Sequence, residues 1–254
     1  MSADDGRFTG GFHAVEAAIA QGRVQRLFVA EARGDGRLKR LLERARSAGL
    51  QAEKRPRAEL DQLASGRHQG VVAELSADAV NVEFQDEGAL EACLDECQRS
   101  GRAPLLLVLE GVTDPRNLGA CLRSADGAGV DAVVVPRSRT APLNAAARNV
   151  ASGAAEALPV VAVANLARTL DWLGQRGVRL VGLAGEGDGT LWDEDLAGPV
   201  ALLLGSEDKG LRRLAREACD ALVSVPMRGT VESLNVSVTA GIALYEVVRQ
   251  RVSN

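Results

Sequence analysis

Residues 223–251 read V-S-V-P-M-R-G-T-V-E-S-L-N-V-S-V-T-A-G-I-A-L-Y-E-V-V-R-Q-R. The stretch begins inside a short apolar strand, Ala221 to Val225. Pro226 stops that strand because proline has no N–H to give to a ladder. Met227 to Ser233 is a loop of small and polar residues. A helix is expected from about Leu234 to Arg251, since Val238, Ile242, Tyr245 and Val248 keep helical spacing. Ser233 is placed to cap its start. The loop and the helix start gather free backbone N–H groups, a hydroxyl and the Asn235 amide in one place. On spacing alone, a strand–loop–helix packing unit is an equal reading, because capped helix starts are common.

Two other stretches have similar grammar. Leu202-Leu203-Leu204-Gly205-Ser206-Glu207-Asp208-Lys209-Gly210-Leu211 is an apolar strand breaking into a Gly-bounded turn. Asp114-Pro115-Arg116-Asn117-Leu118-Gly119-Ala120-Cys121-Leu122-Arg123-Ser124-Ala125 is a turn entering a helix. No G-x-G-x-x-G follows the first strand of this half of the chain. The turn at Gly205 lacks the spacing and the Lys-Ser/Thr pair of a phosphate loop, and Glu207 would repel a phosphate. Dinucleotide and NTPase readings therefore fail.

Around these stretches, apolar strands alternate with helices: strands near 105–109, 132–135, 160–164, 178–183 and 201–204, helices near 89–99, 117–127, 143–151, 166–176 and 209–217. Continuous apolar strands alternating with helices predict an α/β fold with a parallel sheet covered on both faces. Residues 1–76 alternate likewise and predict a smaller α/β unit. The polar, acidic run Ser76 to Gly88 is the expected boundary. The expected domains are 1–76, a linker at 77–88, and 89–254.

Composition bounds the function. The 254 residues are 46% hydrophobic and 25% charged, an ordinary globular composition. The first twenty residues hold Asp4 and Asp5 and no continuous apolar segment, so no signal peptide is expected. The apolar runs are strand-length, so no membrane span is expected, and cytoplasmic residence is the default. Cys93, Cys97, Cys121 and Cys219 form no C-x-x-C pair, and Cys93 and Cys97 share a helix face, a packing pattern. No metal is expected. The net charge of −4 does not advertise a nucleic-acid binder. Residues 1–78 nevertheless hold 13 Lys/Arg against 11 Asp/Glu. Arg33, Arg37, Lys39, Arg40, Arg44 and Arg46 gather around one helix, as a solvated face or a nucleic-acid patch.

Taken in order, the three stretches resemble the motifs of the SPOUT class of RNA methyltransferases, and within it the TrmH/SpoU-type ribose 2′-O-methyltransferases. The resemblance implies a C-terminal trefoil knot, which pattern arguments would not propose because knots are nearly absent elsewhere. It implies S-adenosylmethionine held by main-chain groups at Leu204, Gly205, Val225, Pro226, Met227 and Leu234. It places Arg123, the arginine of N-x-G-A-x-x-R, beside the reacting hydroxyl. A guanidinium is a poor base, so Arg123 is read as a phosphate clamp and alkoxide stabiliser. Asn117, Glu207, Ser233 and Asn235 match the remaining family positions and would orient the ribose and the arginine. Gly11-Phe12-His13-Ala14-Val15 and Arg67-His68-Gln69-Gly70 resemble the L30e/L7Ae-like auxiliary domain of family members acting on ribosomal RNA. The implied partners are large-subunit ribosomal RNA, methylated on a guanosine, and a second copy of the chain docked through the final helix. A tRNA substrate, or an inactive RNA-binding assembly factor, are the alternatives.

Overall fold

The computed structural model of the chain describes residues 8–20, 22–31, 36–64, 68–75, 84–187 and 189–253. Asp4, Asp5, Arg33, Arg67 and linker residues 77–83 lie outside them. The chain divides into two compact units, Met1–Glu83 with Leu143–Ala157, and Phe84–Pro142 with Leu158–Asn254.

The first unit contains β1 (Phe8–Gly10), α1 (Phe12–Ala20), β2 (Val24–Ala30), α2 (Gly36–Ser47), β3 (Ala52–Arg55), α3 (Arg57–Leu63) and β4 (Val71–Leu75). The sheet order is β1-β4-β2-β3, with β2 parallel to β3 and β4 antiparallel to β1 and β2. Side chains alternate across the sheet. Leu27, Val29, Val71 and Ala73 join Phe12, Val15 and Leu41 in one core, and Phe28, Ala30 and Val72 join Leu60 in another. The expected basic helix is α2, which buries Leu38, Leu41 and Ala45. Arg37 stacks over the Phe12 ring at 4.7 Å and lies 2.8 Å from His13 Nε2.

The described part of the second auxiliary-domain motif, His68-Gln69-Gly70, is a turn built for packing. His68 is 3% exposed. Its Nδ1 accepts the Gly70 N–H at 3.1 Å, so the ring proton sits on Nε2, 2.7 Å from Asp61 Oδ1. Gln69 and Gly70 both take positive φ, 54° and 76°. A Cβ at Gly10 would lie 2.7 Å from His68 Cβ, so β1 reaches its place only as glycine.

The second unit contains α4 (Glu87–Arg99), β5 (Leu105–Leu109), α5 (Pro115–Gly127) and β6 (Ala132–Pro136). After β6 come α6 (Ala145–Ala151) and α7 (Ala154–Ala157), which belong to the first unit. The second unit resumes with β7 (Val160–Val163), α8 (Leu166–Gln175), β8 (Arg179–Leu183), β9 (Gly189–Thr190), β10 (Val200–Leu204), α9 (Arg213–Ala218), β11 (Ala221–Ser224) and α10 (Val236–Ser253). The sheet order is β7-β6-β5-β10-β8-β11-β9, and every pairing is parallel. The two central strands, LLLVL and VALLL, are buried at every residue, as a sheet covered on both faces requires.

The path after β8 matters most. The chain leaves the sheet, forms β9 on the far side of β11, and returns to the centre as β10. β11 therefore lies between β8 and the segment that follows β8. The helix after β11 is tied to that same segment. Gln250 Nε2 donates to Glu194 O at 2.9 Å, and the Leu196 N–H donates to Gln250 Oε1 at 2.8 Å. Arg251 donates to the carbonyls of Ala103, Pro104 and Gly198 at 3.0, 3.0 and 2.7 Å.

Several expectations are corrected. The sequence reading runs one domain from 89 to 254, whereas residues 143–157 group with the first unit. A Cβ at Gly153 would meet the His13 carbonyl at 3.1 Å and Ala17 Cβ at 3.4 Å, so α7 starts directly against α1. Arg148 and Glu156, 5% and 3% exposed, form a buried ion pair there at 2.8 Å. The cap of α10 is Asn235 rather than Ser233, because the helix starts at Val236 and Asn235 Oδ1 accepts the Ser237 N–H at 2.9 Å. The buried face of α10 is Val236, Ala240, Ala243, Leu244 and Val247, while Val238 and Tyr245 are 49% and 53% exposed. Finally, α9 starts at Arg213 rather than 209, because residues 206–210 are spent on a closed turn.

Arg251→Met would keep the stem but abandon three carbonyls. Charged hydrogen bonds contribute roughly 1.5–3 kcal/mol each and are not additive, so urea denaturation should show a loss of about 2–4 kcal/mol. A change below about 0.5 kcal/mol would show that α10 is held by packing alone.

Candidate active site

In open parallel sheets, ligands bind at the carboxyl ends of the strands. Here the loops after β8, β10 and β11 and the start of α10 surround a cleft of ≈ 610 Å³. Its form begins with Gly205. A Cβ there would lie 1.9 Å from the Gly210 carbonyl carbon, so only glycine lets the chain fold back at once. Ser206 and Gly210 then pair through two backbone hydrogen bonds, at 3.2 and 2.8 Å. Glu110, just past β5, holds the far end of the turn by accepting the Arg212 N–H at 2.8 Å.

This turn presents Glu207 to the starts of two helices. Glu207 Oε1 accepts from Asn117 Nδ2 at 2.7 Å and from Asn235 Nδ2 at 2.8 Å. Asn235 Nδ2 also donates to Asn117 Oδ1 at 3.1 Å. The residues joined are 28, 90 and 118 positions apart. Each helix start is prepared locally. Asp114 Oδ1 accepts the Arg116 N–H at 2.8 Å, with Pro115 opening α5. Asn235 Oδ1 accepts both the Ser237 N–H and its hydroxyl, at 2.9 and 2.6 Å. Beneath the cluster, burial pushes the Cys121 thiol up to about 12, with the Glu207 charge adding to the effect. Cys121 is therefore a packed thiol, not a nucleophile.

The structure brings many of the anticipated residues together. Leu204, Gly205, Val225, Met227, Ser233, Leu234, Glu207 and Asn235 all line the cleft. Asn117 joins through its bonds to Glu207 and Asn235. Two residues are placed differently. Pro226 is not among the lining residues; it lies past the end of β11, between two residues that are. Arg123 is exposed on α5 and does not line the cleft. Six residues past Asn117, it is turned roughly 240° around the helix from it.

Sequence reasoning missed an ion pair on the cleft wall. Arg216 Nη1 donates to Glu186 Oε1 at 2.5 Å, and both residues line the cleft. The Arg216 hydrogen bond is the main cause holding the Glu186 carboxyl below its usual range. The available signal was Gly185-Glu186-Gly187, a charged residue between glycines directly past an apolar strand. Among the described residues, no group of three or more His, Cys, Asp or Glu side chains could hold a metal ion, and no helix is long and apolar enough to cross a membrane.

Comparison with known proteins places the chain in a family. Residues 104–245 match the SpoU rRNA Methylase family, and residues 10–79 match the family described as RNA 2′-O ribose methyltransferase substrate binding. The chain belongs to the SpoU methylase family. Among its relatives is the 23S rRNA (guanosine-2′-O-)-methyltransferase RlmB of Pseudomonas aeruginosa, 54% identical over 95% of each chain. The protein of the same name from Escherichia coli is 48% identical over 95% of this chain and 97% of its own. The crystal structure of the SpoU methyltransferase AviRb from Streptomyces viridochromogenes in complex with the cofactor AdoMet aligns at a TM-score of 0.70 and 27% identity, over 97% of this chain and 91% of that one.

The shared acceptor makes the two asparagines interdependent. In a double-mutant cycle, Asn117→Ala and Asn235→Ala should be non-additive in stability by about 0.5–1.5 kcal/mol. In a Glu207→Ala background that coupling should shrink toward zero. Strict additivity in the first cycle would show that the cluster has no energetic unity.

Proposed function

We propose that this chain is an S-adenosylmethionine-dependent 2′-O-methyltransferase acting on a guanosine of 23S ribosomal RNA. The observation that carries the reading is the Asn117–Glu207–Asn235 cluster at the cleft, in a chain 54% identical over 95% of its length to a protein of that name. The cleft volume falls within the roughly 300–1,000 Å³ of small-molecule sites. Its lining joins apolar walls (Leu204, Val225, Met227, Leu234) to main-chain groups of the Gly205 turn, a donor set suited to a bent nucleoside. When bound, the cofactor supplies an electrophilic methyl group on a sulfonium.

The chain's own residues do the rest. Glu207 fixes both asparagine amides, so their orientation is set before substrate arrives. Ser233, at the cleft wall, offers a hydroxyl toward the ribose. Arg123 clamps an RNA phosphate and steadies charge as it grows on the 2′-oxygen. The first unit acts as the RNA-recognition module, with α2 offering Lys39, Arg40, Arg44 and Arg46 to phosphates.

Two features of assembly belong to the same reading. The position of β9 on the far side of β11, and the ties between residues 194–198 and α10, support a trefoil knot. The outward apolar residues Val238 and Tyr245 support a homodimer through α10, in which the exposed Arg123 has a second chain beside it. Residence is in the cytoplasm, with the ribosomal RNA.

Ribosomal RNA from a strain lacking the protein, incubated with purified enzyme and labelled cofactor, should gain one 2′-O-methylguanosine in the 23S species. Label in tRNA alone, or none at all, would overturn the assignment. In single turnovers, Arg123→Ala should slow transfer by roughly 10²-fold or more while cofactor affinity holds. Arg123→Lys should be nearly as impaired, because it loses the planar fork. Near-normal rates in both variants would remove Arg123 from the chemistry.

A further inference from the structure

The turn after β8 is held more firmly than a surface loop needs to be. The Ala184 N–H donates to Val223 O at 2.9 Å, and the Gly187 N–H donates to Ala184 O at 3.2 Å. A Cβ at Gly187 would lie 2.6 Å from the Leu222 carbonyl oxygen and 2.8 Å from the Val223 carbonyl carbon. The turn is therefore pressed against β11, and its backbone has little freedom. Among the described residues, it carries one ionisable side chain on the cleft wall, Glu186.

Arg216 reaches that carboxylate from α9. Its side chain is 29% exposed and its Nη1 takes Oε1 at 2.5 Å; the Glu186 side chain is 71% exposed. Among the described residues, no other side chain donates to Glu186. One carboxylate oxygen is thus oriented by a guanidinium, the residue's own backbone N–H adds to the anchoring, and a carboxylate with about four lone-pair sites retains acceptor capacity for a ligand. The remaining carboxylates of the cleft are otherwise disposed. Glu207 is engaged by two amides, and Asp208 and Glu232 are exposed with no arginine aiming them among the described residues.

We propose that Glu186, held in place by Arg216, recognises the ribose 2′,3′-diol of the cofactor's adenosine. This rests on the cleft being the S-adenosylmethionine site. Three arguments choose the diol over the amino-acid tail. A guanidinium–carboxylate pair is neutral as a unit, and two hydroxyls can donate to its free lone pairs without parting it. A zwitterionic tail would have to break the pair to satisfy both its charges. Glu186 also lies at the carboxyl end of a parallel strand adjacent to β10, the kind of position from which an acidic residue meets ribose hydroxyls in other open parallel sheets. Arg216 is the positioning residue in this arrangement, and Glu186 the contact.

Calorimetry on the full chain tests this with three probes: S-adenosylhomocysteine, 5′-methylthioadenosine, and 2′-deoxy-5′-methylthioadenosine. The unaltered protein should prefer 5′-methylthioadenosine over its 2′-deoxy form by about tenfold or more, the scale of one hydrogen bond to a charged group. Glu186→Ala should weaken 5′-methylthioadenosine and bring that ratio close to one. Glu186→Gln should retain part of the preference. Arg216→Ala should lower it and Arg216→Lys restore part of it, a rescue that a merely structural role would not produce. If Glu186→Ala keeps the full preference, the proposal fails. It also fails if that variant loses affinity for S-adenosylhomocysteine but not for 5′-methylthioadenosine, since the carboxylate would then read the amino-acid tail. Failure of the unaltered protein to bind S-adenosylhomocysteine at all would overturn the cofactor reading itself, and this inference with it.

Discussion

One carboxylate oxygen, Glu207 Oε1, accepts two amides that lie 90 and 28 residues from it in sequence. Much of the second unit can be understood as what that convergence requires. Gly205 must be glycine for the turn to double back. Glu110 must hold the other end of the turn at Arg212. Asp114 and Asn235 must start their helices at fixed residues, so that the Asn117 and Asn235 side chains arrive together. Asn235 serves twice, since its oxygen caps α10 while its nitrogen serves the cluster. The start of the final helix is thus set by the same group that orients the site.

Charge is partitioned rather than summed. The chain is net negative, and many of its arginines are neutralised where they sit. Arg176, Arg179, Arg213 and Arg216 pair with carboxylates in the second unit. By contrast Arg116, Arg123, Arg137 and Arg139 are exposed, and none of the four has a carboxylate partner among the described residues. Arg116 lies in the first turn of α5 beside Asn117, and Arg137 and Arg139 lie in the loop after β6. That loop is tied to the one before α5 by the Ala141 N–H donating to Val112 O at 2.8 Å. A phosphate strand responds to such a local field and hardly at all to net charge.

The long elements were legible in the sequence because their signals are strong. β5 and β10 are continuous apolar runs, and α5 opens with Asp114-Pro115, a cap followed by a helix-compatible proline. The site motifs were legible as strand–turn–helix grammar, though their chemistry came from family resemblance. What was illegible had physical causes. β1 and β9 are three and two residues long, too short to show a period of two. α10 is apolar around most of its circumference, so pattern alone did not distinguish the buried Ala240 and Val247 from the outward Val238 and Tyr245. Ser233 and Asn235 are both good caps, and only tertiary contact with Glu207 and Asn117 separates them. Glu186 carried only its flanking glycines as a signal, since its partner Arg216 lies 30 residues away.

The discontinuity of the first unit has a consequence for the order of events during synthesis. Its last helices, α6 and α7, carry the buried Arg148–Glu156 pair and are made after β5, α5 and β6 of the other sheet. A nascent chain stopped at residue 83 lacks part of that unit's interior, so the unit closes only when residue 157 has left the ribosome. At that moment β10, the central strand of the other sheet, does not yet exist outside the tunnel, and neither does the segment that wraps β11. Domains generally fold as units as the chain emerges. Here that rule puts the basic α2 surface in its finished form while the cleft of the second unit still lacks its floor.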